Sequence, residues 1–172
     1  MDGKPKWTRA EAAEFLGAKL CTEIDLWVKR FPEGQTRAAS IAALREAQHE
    51  NQGYLELKHI DAVAAYLGLP EIQLYETASF YSMLETRKVG RHSVSVCTNV
   101  SCMLCGGEDI LAHLESKLGV SAGESTTDGR IYLMKEEECL AACAGAPMMM
   151  VDHVYYTDLT PERVDEIIDE LD

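Results

Sequence analysis

Five of the six cysteines fall between positions 97 and 143, and four of them form two close pairs, Cys97-x4-Cys102 and Cys139-x3-Cys143. This spacing constrains the fold. If both pairs serve one centre, two segments far apart in sequence must meet. Loops leaving neighbouring strands of a rigid scaffold can bring them together.

The flanking residues fit that requirement. From Arg91 the apolar period becomes two: His92, Val94 and Val96 alternate with Ser93, Ser95 and Cys97, the pattern of a strand. Gly106-Gly107 reads as a turn. A helix follows over Glu108–Leu118, with Ile110, Leu111 and Leu114 inward and Gly119 as its stop. Asp128-Gly129 marks a turn before a strand over Arg130–Met134, and residues 139–146 form a cysteine-bearing loop. Met148–Val151 and Val154–Tyr156 read as a hairpin around Asp152-His153. Thr160-Pro161 opens a last helix ending at Leu171, with Val164, Ile167 and Ile168 inward. The order β-α-β-loop-β-β-α is the outline of a thioredoxin-like α/β domain.

The first half reads as helices instead. Thr8-Arg-Ala-Glu11 has capping-box spacing, and Phe15, Leu16, Leu20, Ile24 and Val28 recur at helical intervals until Pro32 and Gly34. Further helices are expected from Thr36 to Asn51 (Ile41, Leu44, Ala47 and Gln48 on one side) and from Lys58 to Leu67, stopped by Gly68. A fourth has Pro70 in its first turn and carries Leu74, Tyr75, Ala78 and Tyr81. The fold class is therefore α/β (α+β): an N-terminal helical bundle over 1–86 and a thioredoxin-like domain over 87–172, with the linker within 84–91.

Composition narrows the function. The chain has 172 residues, 47% of them apolar, and a net charge of −13, which argues against nucleic acid and anionic lipid as partners. Residues 1–90 carry 11 Lys/Arg and 13 Asp/Glu, a net −2; residues 91–172 carry 5 and 16, a net −11. No run of about 18 apolar residues is present to cross a membrane. Met1–Trp7 lacks the apolar core of a signal peptide. A location inside the cell is expected, where free thiols persist.

Iron in a sulfide cluster takes thiolate ligands, four for a [2Fe–2S] unit, and two per iron makes close pairs efficient. The two-pair reading uses Cys97, Cys102, Cys139 and Cys143. A second count, Cys97-x4-Cys102-x2-Cys105, matches the start of the plant-type ferredoxin spacing but strands one of the two downstream cysteines. Cys102-Met-Leu-Cys105 could instead be a redox dithiol, which leaves the other three cysteines without purpose. A structural zinc site is a further possibility, although zinc knuckles favour C-x-x-C on both sides. Buried, inert thiols are the common fate of cysteine, and Cys21, between Leu20 and Ile24 on a helix, fits that description.

Cys97-Thr-Asn-Val-Ser-Cys102-Met-Leu and Glu138-Cys139-Leu-Ala-Ala-Cys143-Ala-Gly-Ala-Pro147-Met-Met closely resemble the 24-kDa subunit family of respiratory NADH:quinone oxidoreductase, complex I (its E-subunit type). Tyr54, Ala62-Val-Ala-Ala-Tyr-Leu-Gly-Leu-Pro70 and Tyr75-Glu-Thr-Ala-Ser-Phe80-Tyr81 resemble its N-terminal helical part, so the likeness covers nearly the whole chain. It implies a thioredoxin-like [2Fe–2S] ferredoxin domain with the cluster on Cys97, Cys102, Cys139 and Cys143. Cys105 departs from the family pattern. The implied partner is the flavin- and NADH-binding subunit, whose FMN exchanges one electron with the cluster. FMN and NADH belong to that partner only, and the chain is an electron carrier within an oxidoreductase complex. The complex would place it in the cytoplasm at the inner membrane, or on the matrix side in mitochondria. The same module occurs in NAD(P)-linked hydrogenases and formate dehydrogenases. No G-x-G-x-x-G after a strand and no P-loop is visible in the sequence.

Four thiolates, two sulfides and two ferric ions sum to about −2, and one electron more makes about −3. In a half already at −11 a low reduction potential is expected, with N–H donors to sulfur from Ala144-Gly145-Ala146 and Val100-Ser101. Met148–Met150 reads as packing, with Met148 and Met150 inward beneath the cysteine loop, and Pro147 as a candidate cis proline. His49, His59, His92, His113 and His153 have no ligand spacing. Phe80-Tyr81 suits core or partner contact equally.

Overall fold

A computed structural model describes residues 7–135 and 139–172. Met1–Lys6, and Glu138 at the head of the second cysteine motif, lie outside the described residues. The chain divides into two compact units, Met1–Lys88 and Val89–Asp172.

The first unit is helical. α1 (Arg9–Val28) opens with a complete capping box: the Thr8 N–H donates to Glu11 Oε2 at 2.7 Å, and the Glu11 N–H donates to Thr8 Oγ1 at 3.3 Å. It is not one continuous helix. Gly17 sits at φ 80, ψ 156, and a kink there turns Phe15 to the surface while Leu20 and Ile24 stay buried. The segment expected from Thr36 begins as a 3-10 turn, Thr36–Ala39, before α2 (Ser40–Glu50). α2 buries Ala43, Leu44, Ala47 and Gln48, and Ile41 is only half-buried. The buried Gln48 amide is satisfied: its Nε2 donates to Met83 O at 3.0 Å and its Oε1 accepts from the Glu85 N–H at 2.7 Å.

α3 (Leu57–Leu67) ends on Gly68 in the left-handed conformation, φ 68, as a C-terminal stop requires. α4 (Glu71–Phe80) starts after Pro70 and buries Leu74 and Ala78. Tyr81, expected within this helix, lies past its end and is exposed. α1 packs on α2 and α3, and α3 on α4, around one apolar core that includes Ile24, Leu44, Ile60, Val63 and Leu74.

The second unit is a five-stranded mixed sheet of order β2-β3-β1-β4-β5, with β1 His92–Val96, β2 Glu124–Ser125, β3 Ile131–Leu133, β4 Met149–Val151 and β5 Val154–Tyr156. β1 pairs parallel with β3 and antiparallel with β4. β2 is an addition to the sequence reading; two residues are too few to show a period. So is α5 (Val100–Leu104), one short helix within the loop that carries the first cysteine pair. α6 (Gly107–Leu118) and α7 (Pro161–Asp169) pack together, and α6 packs on β1. Ile110, Leu114, Val164, Ile167 and Ile168 join Val94, Val96, Ile131, Leu133, Met149 and Val151 in the main core.

β1 is central, so its far end is covered on both faces. Ser95 is as buried as Val96, and the polar/apolar alternation does not become an exposed face. The β4–β5 turn places Asp152 (φ 45) and His153 (φ 70) in the left-handed region, as a tight hairpin turn demands. Asp152 also braces β1, accepting from the Ser93 N–H at 2.9 Å and meeting His92 Nδ1 at 2.6 Å. Among the described residues, no helix is long and apolar enough to cross a membrane.

Candidate metal centre

Cys97 is the residue after β1, and its N–H donates to Met148 O at 3.1 Å, extending the ladder toward β4 by one bond. The chain then turns into α5. Asn99 caps it, its Oδ1 accepting from the Val100 N–H at 2.9 Å, which sets Cys102 in the middle of the helix. α6 begins hard against this loop: a Cβ built on Gly107 would stand 2.7 Å from the Cys97 carbonyl oxygen and 2.9 Å from that of Cys102. Gly106-Gly107 is therefore more than a turn. It lets a helix start in contact with the backbone of the first cysteine pair.

The second pair lies on the loop before β4. Ala141 adopts φ 62, a left-handed conformation rare for alanine. That twist aims its N–H at Cys139 Sγ, 3.3 Å away. Cys143 opens a 3-10 turn, Cys143–Gly145, closed by the Gly145 N–H on Ala142 O at 3.1 Å. The turn is pinned from behind, because the Asp158 N–H donates to Gly145 O at 2.8 Å. The Ala146–Pro147 bond is cis.

The fold brings the two pairs together. Cys97 and Cys102, each 1% exposed, share a small buried cluster with Met148, against which Leu140, Ala142 and Ala146 pack. The free Cys97 thiol is placed to hydrogen-bond with those of Cys102 and Cys139, and Cys139 Sγ lies 3.6 Å from Cys143 Sγ. Cys139 and Cys143 are exposed. The site therefore has a buried pair and an open pair. Cys105, at the C-terminal cap of α5, is exposed and takes no part in these sulfur contacts among the described residues. Cys21 is buried in the helical unit, its Sγ 3.7 Å from Ala13 O.

The electrostatics favour a positive charge among the sulfurs. Burial pushes the Cys97 thiol up, but the N–H groups of Leu140 and Asn99, with the thiols of Cys102 and Cys139, outweigh it and hold Cys97 below the ordinary value. Burial, then the neighbouring Cys97 thiol, pushes Cys102 up to about 11. The Ala141 N–H draws Cys139 down, yet the Cys143 thiol, lost solvation and the charges of Cys143 and Cys97 leave it raised. One thiolate is welcome here and further ones repel, a conflict that a metal centre resolves by neutralising the set.

Two thiolates about 2.3 Å from one tetrahedral metal stand roughly 3.8 Å apart, near the 3.6 Å between Cys139 and Cys143. Yet among the described residues no three His, Cys, Asp or Glu side chains close on a single ion. Two close pairs of thiols match a two-iron centre, in which each iron takes two protein sulfurs. The donor set fits a [2Fe–2S] cluster.

The model of the thioredoxin-like [2Fe–2S] ferredoxin family matches residues 24–172. The chain belongs to this family. Among relatives of this ferredoxin, the E subunit of the Rickettsia felis NADH-quinone oxidoreductase is 39% identical over 143 residues, covering 83% of this chain and 85% of the relative. The second E subunit of the Rhizobium meliloti enzyme is 40% identical over 147 residues, covering 86% of this chain and 85% of that one. The mitochondrial NADH dehydrogenase [ubiquinone] flavoprotein 2 of Dictyostelium discoideum is 36% identical over 87% of this chain and 60% of its own length. An air-oxidized NAD+-reducing [NiFe]-hydrogenase shares the fold, with a TM-score of 0.66 at 22% identity over 77% of this chain; the chain spans 22% of that hydrogenase chain. The thioredoxin-like reading of the ferredoxin's second half and the helical reading of its first both hold.

Three expectations about the site change. The sulfur-directed N–H groups come from Asn99, Leu140, Ala141 and Met148. Of the expected donors, the Val100 and Gly145 N–H groups are engaged by Asn99 Oδ1 and Ala142 O. Met148 is buried with the thiols, but Met149 faces the main core and Met150 is half-buried, because the strand begins one residue later than expected. Phe80 and Tyr81 are both exposed, which excludes them from the core. Asn99 was legible as a helix cap ahead of Val100. Ala141 carried no signal, since alanine does not announce a left-handed turn.

Proposed function

We propose that this ferredoxin is the [2Fe–2S] electron-transfer subunit of an NADH dehydrogenase module of complex I, NADH:quinone oxidoreductase. Its cluster ligands are Cys97, Cys102, Cys139 and Cys143. The observation that carries the reading is the meeting of these four thiols, with Cys105 outside. The names and coverage of the NADH-quinone oxidoreductase relatives support the assembly.

When bound, the cluster accepts and returns one electron at a time. The chain's own residues set the terms. Cys97 and Cys102 anchor it to β1 and α5 in a site closed by Met148 and Leu140, which exclude water on that side. Cys139 and Cys143 keep the other side open to a partner. The N–H groups of Asn99, Leu140, Ala141 and Met148 stabilise negative charge on sulfur, offsetting the acidity of residues 91–172. The electron partner is FMN on the flavin- and NADH-binding subunit, and neither FMN nor NADH binds this chain alone. The complex holds the chain on the cytoplasmic face of the inner membrane, or on the matrix face in mitochondria, a reading supported by the mitochondrial relative.

The test is EPR during NADH titration of the chain purified with its partner. A reduced [2Fe–2S] signal is expected, lost or altered in Cys139→Ser and nearly intact in Cys105→Ser. The reverse pattern would favour the plant-type ligand set. A colourless, metal-bearing protein would establish the zinc alternative. The fold likeness to the NAD+-reducing hydrogenase supports a second reading, the same module in a hydrogenase. Co-purification of hydrogenase subunits in place of quinone-reducing ones separates the two.

A further inference from the structure

The open pair of thiols sits on a loop whose own hydrogen bonds do not fix where it lies. Two of them, from the Ala141 N–H to Cys139 Sγ and from the Gly145 N–H to Ala142 O, shape the loop from within. Leu140, Ala142 and Ala146 pack against the buried cluster of Cys97, Cys102 and Met148. The turn that begins at Cys143 meets a different stretch of chain, residues 157–159 between β5 and α7.

That stretch touches the loop at three points. The Asp158 N–H donates to Gly145 O at 2.8 Å, and the Leu159 N–H donates to Pro147 O at 3.0 Å. Asp158 takes a left-handed φ of 52, uncommon outside glycine, where two successive N–H groups reach the loop. The third contact is steric. A Cβ built on Gly145 would stand 2.5 Å from Thr157 Cβ, 2.8 Å from its Cγ2 and 3.0 Å from its Oγ1, so Gly145 rests directly against the Thr157 side chain. A β-branched side chain is stiff and makes a firm stop. The stretch is itself anchored. Leu159 is buried in the main core with Val164 and Ile167, and Thr160 Oγ1 accepts the Arg163 N–H at 3.3 Å at the head of α7.

We propose that Thr157 is a positioning residue for the cluster: with the Asp158 and Leu159 N–H groups it forms a wall against which the Cys143–Gly145 turn is set, fixing how far Cys143 reaches toward the iron. This rests on the functional reading above, in which Cys143 is a ligand. Contacts that orient a ligand govern how well a metal site holds its metal and how its electronic character is tuned. Val94 and Val96 of β1, the strand that leads to Cys97, lie in the same core as Leu159. One interior therefore sets both pairs.

The test uses the full-length, cluster-loaded chain. Gly145→Ala should drive the turn off Thr157, move the EPR g-values and the reduction potential, and release iron to a chelator about tenfold faster. Thr157→Gly should broaden the EPR lines, since the turn loses its stop. Combining Gly145→Ala with Thr157→Gly removes the clash and should bring g-values, potential and iron release back toward those of the unsubstituted chain. Spectra and potential unchanged in both single variants would overturn the inference. So would a combined variant no better than Gly145→Ala alone, even where Gly145→Ala takes up no cluster, because the damage would then not pass through Thr157. If Cys143→Ser leaves the signal untouched, the ligand assignment itself fails, and this inference with it.

Discussion

The two units solve the problem of a stable interior differently. The helical unit closes a single core in which Ile24, Leu44, Ile60, Val63 and Leu74 meet, and its buried polar groups, such as Gln48, are satisfied inside the unit. The sheet unit has a main core of the same kind between the strands and α6 and α7, and beside it a second, small cluster of Cys97, Cys102 and Met148. Hydrocarbon stabilises the first interior without any outside ligand. The second packs two thiols with one methionine, and burial, then the neighbouring Cys97 thiol, raises the Cys102 pKa. Stability and chemistry are thus housed apart, and each can be perturbed alone.

The largest expected effect comes from removing a ligand. Cys97→Ser, or chelation of iron, should abolish the visible absorption and EPR signal entirely. It should also lower hydrogen-exchange protection in β1 and β4 while α1 to α3 keep theirs. Equal loss in both units would erase the distinction between them.

The mirror experiment truncates the other core. Leu74 is fully buried, and Leu74→Ala should cost about 2–5 kcal/mol, read as a lowered denaturation midpoint of the helical unit. The cluster's EPR spectrum and reduction potential should not move.

A smaller effect is expected at Ala141. Its left-handed φ of 62 costs alanine roughly 1–2 kcal/mol and glycine almost nothing. Part of that gain is returned through the more flexible unfolded chain, so Ala141→Gly should stabilise the sheet unit by up to about 1 kcal/mol. Chemical denaturation checks this, and Ala141→Val should act in the opposite direction.

The smallest effect is a pH dependence confined to the helical unit. His59 Nδ1 accepts the Glu56 N–H at 3.2 Å at the start of α3, and burial, opposed by Glu56, holds the ring's pKa below its usual value. A depressed folded-state value means the contribution is whole above the unfolded pKa, near 6.5, and is lost as pH falls through the lowered folded value. Melts of wild type and His59→Gln should converge at the acidic end of that window. A constant difference across it would exclude His59 as the titrating group.

Much of this was legible in the chain itself. Local signals made the caps and stops readable: Thr8 with Glu11, Gly68, and Thr160 before Pro161 all act within one helical turn, where side chain and backbone meet without help from the rest of the fold. Gly17 misled, because helical spacing on either side of it reads straight through a kink that periodicity does not show. Tyr81 misled for a similar reason, since periodicity extends past the point where the helix stops.

The residue types able to hold iron, their pairing in sequence and the acidity around them belong to the sequence alone. So does the succession of helices and strands, since hydrophobic period and turn chemistry are local properties. Which thiols are buried, which stay open and which stands aside was decided by tertiary structure. So was the set of N–H groups that point at sulfur, Asn99, Leu140, Ala141 and Met148 among them. Those directions depend on a central strand, a kinked loop and a helix start converging from places 40 residues apart, roughly the span between the two pairs, and no local rule encodes such a meeting.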